Sequence, residues 1–282
     1  MAEQKKQTNA LITMIDAKRE GLWNLKASYL PKINQEVYFK RALITVMESK
    51  ELAALAKTEI GALSILKAIG KALQMGLQIG GNIPQAYIVK FGETAGLIPT
   101  AEGYQFICTT EPDQILKSFD VRAVYDGEDF AIDYSAGTVK HTFSGGKRGK
   151  LSGVYCRCED MDGNKMVGYY TREDLERVRD TKSRYFMSTK KGPWLDDFDA
   201  MCKKTAAKNF LKPFSSKKEG LAMALAVDDG EPVRDNRPIQ SRVGDQLDDV
   251  LDAEFEPAES TPPPKQDQAS DQKEQKKGNA PF

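Results

Sequence analysis

The chain has 282 residues, 40% hydrophobic and 29% charged, which allows one large domain or one domain with appendages. Its 41 basic and 41 acidic residues cancel, yet from Asp228 onward 14 acidic face 7 basic residues, leaving 34 basic and 27 acidic before that point. The asymmetry fits either a solubilising tail or a body with an anionic partner, while four cysteines without a CxxC pair and a single histidine, His141, argue against zinc and against a disulfide framework.

The N-terminus, "MAEQKKQTNALITMIDAKREGLW", has no apolar core of signal-peptide length. No run approaches the roughly 20 apolar residues of a membrane helix. These features and the thiols predict a cytoplasmic protein with no membrane partner. Residues 1–57 read mostly as helix: Leu11, Met14 and Ile15 keep helical spacing, and a second run covers Val37 to Ala56 beyond Pro31. These helices are candidate subunit contacts. Ile60, Leu63, Leu66, Ile69, Leu73 and Leu77 continue the period as a core helix, stopped by Gly76, Gly80, Gly81 and Pro84.

The period then changes to that of strands. "AYIVKF" and "AGLIP" read as a hairpin, and "EGYQFICTT" as a helix. "VRAVYD", "FAIDYS", "TVKHTF" and "GVYCRCEDMDGNKMVGYYT" are β-like, with Asp162-Gly163 as a turn. Thr171 and Asp174 fit the cap of a helix over "REDLERVRD". "WLDDFDAMCKKTAAKNFLKPF", Trp194 to Phe214, forms the next helix, and "KEGLAMALAV" closes the fold. The expected class is α+β: N-terminal helices, then a small antiparallel sheet and hairpin core packed with helices over 58–227. The segment 228–282 reads as a disordered acidic tail, because "TPPPKQDQASDQKEQKKGNAPF" lacks the apolar side chains that would offset ordering entropy. Inside it, Leu247, Val250, Leu251 and Phe255 share one face of a potential helix over 246–256. They are either a partner-binding helix or stray apolar residues in a linker.

Catalytic signatures fail. "GGKRGKLS" lacks the glycine spacing of a phosphate loop, and Leu151 stands at its Ser/Thr position. Neither GxSxG nor GxGxxG occurs. Asp196, Asp197 and Asp199 are the best magnesium candidates, as in a metal-dependent nuclease. Against that, acidic residues are favoured in the first turn of a helix, and Asp199 precedes Lys203 by four residues, the favourable ion-pair order.

On a helical wheel Trp194, Phe198 and Met201 form an anchor stripe with Thr205. Cys202, Ala206 and Asn209 widen it on one side. Lys204 and Lys208 border the stripe on the other side, about 6 Å apart along the axis, close to the phosphate spacing of a nucleic-acid strand. Lys203 points further out. Lys147 and Arg148 crowd a glycine-rich turn, and Arg172, Lys190, Lys191 and Lys212 add basic positions. Tyr185, Phe186 and Trp194 interleave with these charges, the mixture a single-strand groove needs.

At these residues the chain resembles the phage RecT-type single-strand annealing proteins of the RecT/Red-beta superfamily. "KAIGKALQMGLQIG" before "AYIVKF", then "EGYQFI", "GYYTREDLERVR" and "W…DAMCKKTAAKNFL" match that family's blocks in order, spanning about Thr58 to Val227. The resemblance implies ATP-independent binding of single-stranded DNA and its annealing to a complementary strand in recombination, by rings or filaments of the protein. It implies annealed duplex as product, no required cofactor with magnesium an aid at most, and a phage exonuclease and the host single-strand binding protein as further partners. By position it places Lys203, Lys204, Thr205, Lys208 and Asn209 near DNA, and Tyr104 in the family's Gly-Tyr helix. Glu102 departs from the pattern, standing in "TAEG" where the family often has a lysine.

Overall fold

The computed structural model describes residues 10–28, 30, 33–143, 145–229 and 243–252. The chain opens with helices α1 (Ala10–Asn24), α2 (Gln35–Glu48), α3 (Lys50–Leu55) and α4 (Glu59–Gln74). The helical run expected over 37–56 breaks at Ser49. Its backbone is extended, and its side chain accepts from the Leu52 amide to cap α3. Thr58 caps α4 in the same way through the Gly61 amide at 3.1 Å. The apolar stripe of α4 (Ile65, Leu66, Ile69, Leu73) meets Leu11, Ile15 and Leu22 of α1 in the core.

Strands β1 (Ala86–Phe91) and β2 (Thr94–Pro99) form an antiparallel hairpin. Their inward residues Ile88 and Leu97 face each other and are buried, and β2 lies along α4. Alternation leaves Tyr87, Val89 and Phe91 on the opposite face. Helix α5 (Ala101–Thr109) follows, capped by Thr100 on the Gly103 amide.

Strand β3 (Leu116–Tyr125) leads into a second hairpin, β4 (Asp129–Asp133) with β5 (Thr138–Thr142), before β6 (Leu151–Asp160) and β7 (Lys165–Thr171). The three-stranded antiparallel sheet has the order β3-β6-β7. Gly163 turns β6 into β7 with φ +87, as the Asp-Gly signal predicts. The central strand β6 buries Val154, Cys156 and Cys158 on one face. On the other, Tyr155 stacks on Phe130 of the inserted hairpin at 5.5 Å.

Helix α6 (Arg172–Lys182) starts at the predicted capping box of Thr171 and Asp174. Short helices α7 (Arg184–Thr189) and α8 (Pro193–Asp196) precede α9 (Phe198–Leu211). The segment expected as one helix from Trp194 is interrupted at Asp197 (φ −146, ψ 75), whose side chain accepts from the Ala200 amide at 3.1 Å and starts α9 afresh. A 3-10 stretch (Lys212–Lys217) leads to α10 (Glu219–Asp229). The expected tail boundary at 228 therefore falls inside a helix. Helix α11 (Val243–Asp252) forms within the acidic segment and packs against α1 and α4. The disorder predicted for the final residues, and Phe255, lie outside the described residues.

All four cysteines are buried free thiols. Among the described residues no helix is long and apolar enough to cross a membrane. The α+β class expected from the sequence is the one observed.

Candidate nucleic-acid interface

A groove of about 820 Å³ runs between the β1–β2 hairpin, the α6–α8 region, α9 and the end of α10. Six lysines line it: Lys71, Lys182, Lys191, Lys204, Lys208 and Lys212. Its aromatic lining is Phe91, Tyr185, Phe186 and Trp194, and among the described residues its acidic lining is Asp228 and Asp229. The sequence brings these positions from four distant segments to one concave surface whose charge favours a polyanion.

Helix α9 forms the floor. Its buried face of Cys202, Thr205, Ala206 and Leu211 sits on the sheet and α5. That burial fixes the opposite border, so Lys204, Lys208 and Asn209 open into the groove beside Thr205 and Met201. Trp194 is buried beneath them and packs on Phe198 at 6.1 Å. Of the expected anchors, Trp194 is buried and Met201 half-buried, and both line the groove. Phe198 lies on the far side, beneath the guanidinium groups of Arg172 and Arg179.

The lysine row is not free. The Lys208 ammonium lies 2.7 Å from Asp228 and also pairs with Asp229, Lys204 pairs with Asp228, and Lys212 stands 3.8 Å from Asp229. Side chains of Lys204 and Lys208 are 12% exposed and that of Asp228 is 6% exposed. Burial pushes the Lys204 amine below the ordinary lysine value, although Asp228 opposes the shift. Three lysines against two carboxylates leave this wall with one net positive charge. The reading of Lys204 and Lys208 as an open phosphate-holding edge needs that amendment. The carboxylates come from the first two residues assigned to the tail.

The remaining positive charge comes from the other walls. Lys71 extends from α4, where burial and the neighbouring Lys67 push its amine down. Lys182 ends α6, and Lys191 follows α7. Reading α4 only as a core helix missed Lys71. The available signal was the Lys67–Lys71 pair, one turn apart on the border of the apolar stripe.

Several predicted contacts stand elsewhere. Tyr104 is wholly buried, and its hydroxyl donates to the Ala224 carbonyl at 3.4 Å, so it is a core residue. Burial raises its phenol well above the ordinary value. Arg148 donates to Glu128 at 3.0 Å and lies over Tyr125 and Phe143; it and Lys147 belong to the loop beside the β4–β5 hairpin rather than the groove lining. Arg172 pairs with Glu176. Lys190 adopts the left-handed C-cap of α7 and covers Phe186, while its neighbour Lys191 reaches the groove. Lys203 is half-buried outside the lining. Lys218 is buried and donates to the carbonyls of Thr110 and Pro112 at 2.9 and 3.3 Å.

Two of the three acidic candidates have structural roles, and Asp196 is exposed. Asp197 caps α9, and Asp199 accepts from the Tyr125 hydroxyl at 2.6 Å. Burial and that hydrogen bond push the Tyr125 phenol up to about 12. Among the described residues no group of three or more His, Cys, Asp or Glu side chains is placed to hold a metal ion. Glu102 is exposed in the first turn of α5.

The apolar face expected to bind a partner through α11 is already covered. Leu247 is buried against Gly70 of α4, and Val250 lies against Gly21 of α1; a Cβ on either glycine would meet them at 2.5 and 2.8 Å. Asp248 accepts from Lys67 at 2.8 Å.

The chain matches the RecT family over residues 38–240. Protein RecT of Escherichia coli (strain K12) is 24% identical over 222 residues, an alignment covering 73% of this chain and 81% of that protein.

Proposed function

The chain belongs to the RecT family, and from that premise we propose that it binds single-stranded DNA and anneals it to a complementary strand in recombination, without ATP. The observation that carries this reading is the groove, with six lysines and four aromatic rings set around two carboxylates. Lysines on three walls would hold the backbone, releasing counterions and making affinity fall steeply with salt. Rings along the same surface would keep bases ordered yet open to testing by a second strand.

Annealing makes and breaks no covalent bond, so the reading needs no nucleotide. Magnesium would help only by screening two approaching backbones. Copies arranged side by side in a ring or filament would hold a strand extended, with the N-terminal helices as contacts between them. A phage exonuclease and the host single-strand binding protein are the proposed partners, in the bacterial cytosol. The groove, the capping role of Asp197 and the hydrogen bond from Tyr125 to Asp199 favour this over the nuclease alternative.

The test is annealing of complementary labelled oligonucleotides without ATP, followed by electron microscopy of the product. Duplex formation without cleavage, on ring or filament particles, is the expected result. Magnesium-dependent shortening of the strands would overturn it.

A further inference from the structure

We propose that Phe91 and Tyr185 form the base-reading lip of the groove, a two-ring platform on which unpaired bases stack; this deepens the single-strand reading above and rests on it. The rings come from separate elements, Phe91 from the tip of β1 and Tyr185 from α7. They meet edge to face, with centroids 5.8 Å apart and planes at 81°. Both line the groove and both remain about one-third open, at 37% and 36%. An edge-to-face pair leaves ring faces open to further stacking.

Each ring is seated on a glycine. Gly96 of β2 sits diagonally across the hairpin from Phe91, and a Cβ there would lie 2.9 Å from the Phe91 ring. Gly192 has φ +93, a conformation that disfavours other residues, and a Cβ there would lie 2.8 Å from the Tyr185 ring. Two independent backbone approaches therefore hold these rings at the mouth instead of letting them fold into the core. Neighbouring Phe186 and Trp194 show the contrast, since both are buried.

The chemistry of the occupant follows. Every base presents a ring face, so stacking is tolerant of sequence, and a duplex hides those faces. The lysines attract both forms through phosphates; the ring pair adds affinity only where bases are unpaired. Phe91 and Tyr185 would thus set the preference for single strands, and that preference would not depend on salt.

The test compares binding of an oligothymidylate and an abasic strand of equal length and charge, across several salt concentrations, by fluorescence anisotropy. The wild type should prefer the base-bearing strand by roughly fivefold to a hundredfold. The Phe91→Leu/Tyr185→Leu double variant keeps apolar volume but no ring face. It should lose that preference while keeping the slope of affinity against salt. Tyr185→Phe should behave as wild type. Equal wild-type affinity for both strands, a measurement that needs no variant, would overturn the platform and leave the annealing reading intact. So would a folded double-leucine variant that retains the preference. A wild type that binds neither strand would sink both.

Discussion

The Asp228 carboxylate lies 2.7 Å from the Lys208 ammonium, with both side chains nearly closed to solvent. Asp228 also pairs with Lys204, so one carboxylate joins the last turn of α10 to two successive turns of α9. Removing one partner from such a cluster strands the others. Asp228→Asn should therefore lower stability by about 3 kcal/mol, read as a shift of the urea midpoint without a change of slope. Lys204→Met, which fills the space without charge, should cost less than Lys204→Ala.

The same pair decides where the tail can be cut. A chain ending at Asp229 keeps the carboxylates and should fold and anneal. One ending at Val227 loses them and should melt well below it. Loss of α11 from the first truncation uncovers the Gly21–Gly70 notch, so hydrogen exchange should rise in α1 and α4 while the groove helices stay protected. Equal melting temperatures for the two truncations would contradict this role of the carboxylates.

Glu128 gives a pH dependence. Its side chain is 1% exposed and accepts from the Tyr125 amide, His141 and Arg148 at 2.9, 2.9 and 3.0 Å. Burial pushes its carboxyl up, but these donors together outweigh that and hold it below the ordinary value of 4.5. A carboxyl lowered on folding stabilises above its unfolded value and loses that contribution as pH falls through the folded one. Wild-type stability should thus drop as pH falls below about 4.5. Glu128→Gln should be less stable at neutral pH by about 2 kcal/mol, and its stability should change less over that acid range.

The local signals were legible where the chemistry is local. The Thr171–Asp174 box, the Asp162-Gly163 turn and the alternation of β1 each fix their geometry within a few residues, and the structure follows them. The wheel came close to the buried face of α9, since Thr205, Cys202 and Ala206 are buried; its centre was displaced because Asp197 puts Trp194 on a separate helix and leaves Phe198 and Met201 half-buried. What escaped was pairing across the chain. Nothing near Lys204 in sequence reveals the Asp228 carboxylate, since α10 must fold back before the two meet. Tyr104 looked available because a nine-residue helix can bury either face, and the choice depends on α10 above it. Asp197 broke a helix that periodicity would have continued, because its side chain caps the next turn more effectively than its backbone extends the last.

Lys71 and Lys191 carry groove charge that lies outside the ion pairs of Asp228 and Asp229, and they make the last prediction. Each lysine–phosphate pairing removed from a single-strand complex lowers the slope of log affinity against log salt by about 0.7. Lys71→Ala and Lys191→Ala should each reduce the slope by about that amount, and the double variant by twice as much, with little change in melting temperature. Lys208→Ala differs, since its ammonium is already shared with Asp228 and Asp229. Its removal should change the slope less and the melting temperature more. Titrations of one labelled strand at four or five salt concentrations, with a thermal melt of each variant, separate lysines that hold DNA from those that hold the fold. If Lys208→Ala gave the greatest drop in slope with an unchanged melt, the carboxylates would be yielding their lysine to phosphate, and the division of roles between the groove walls would be wrong.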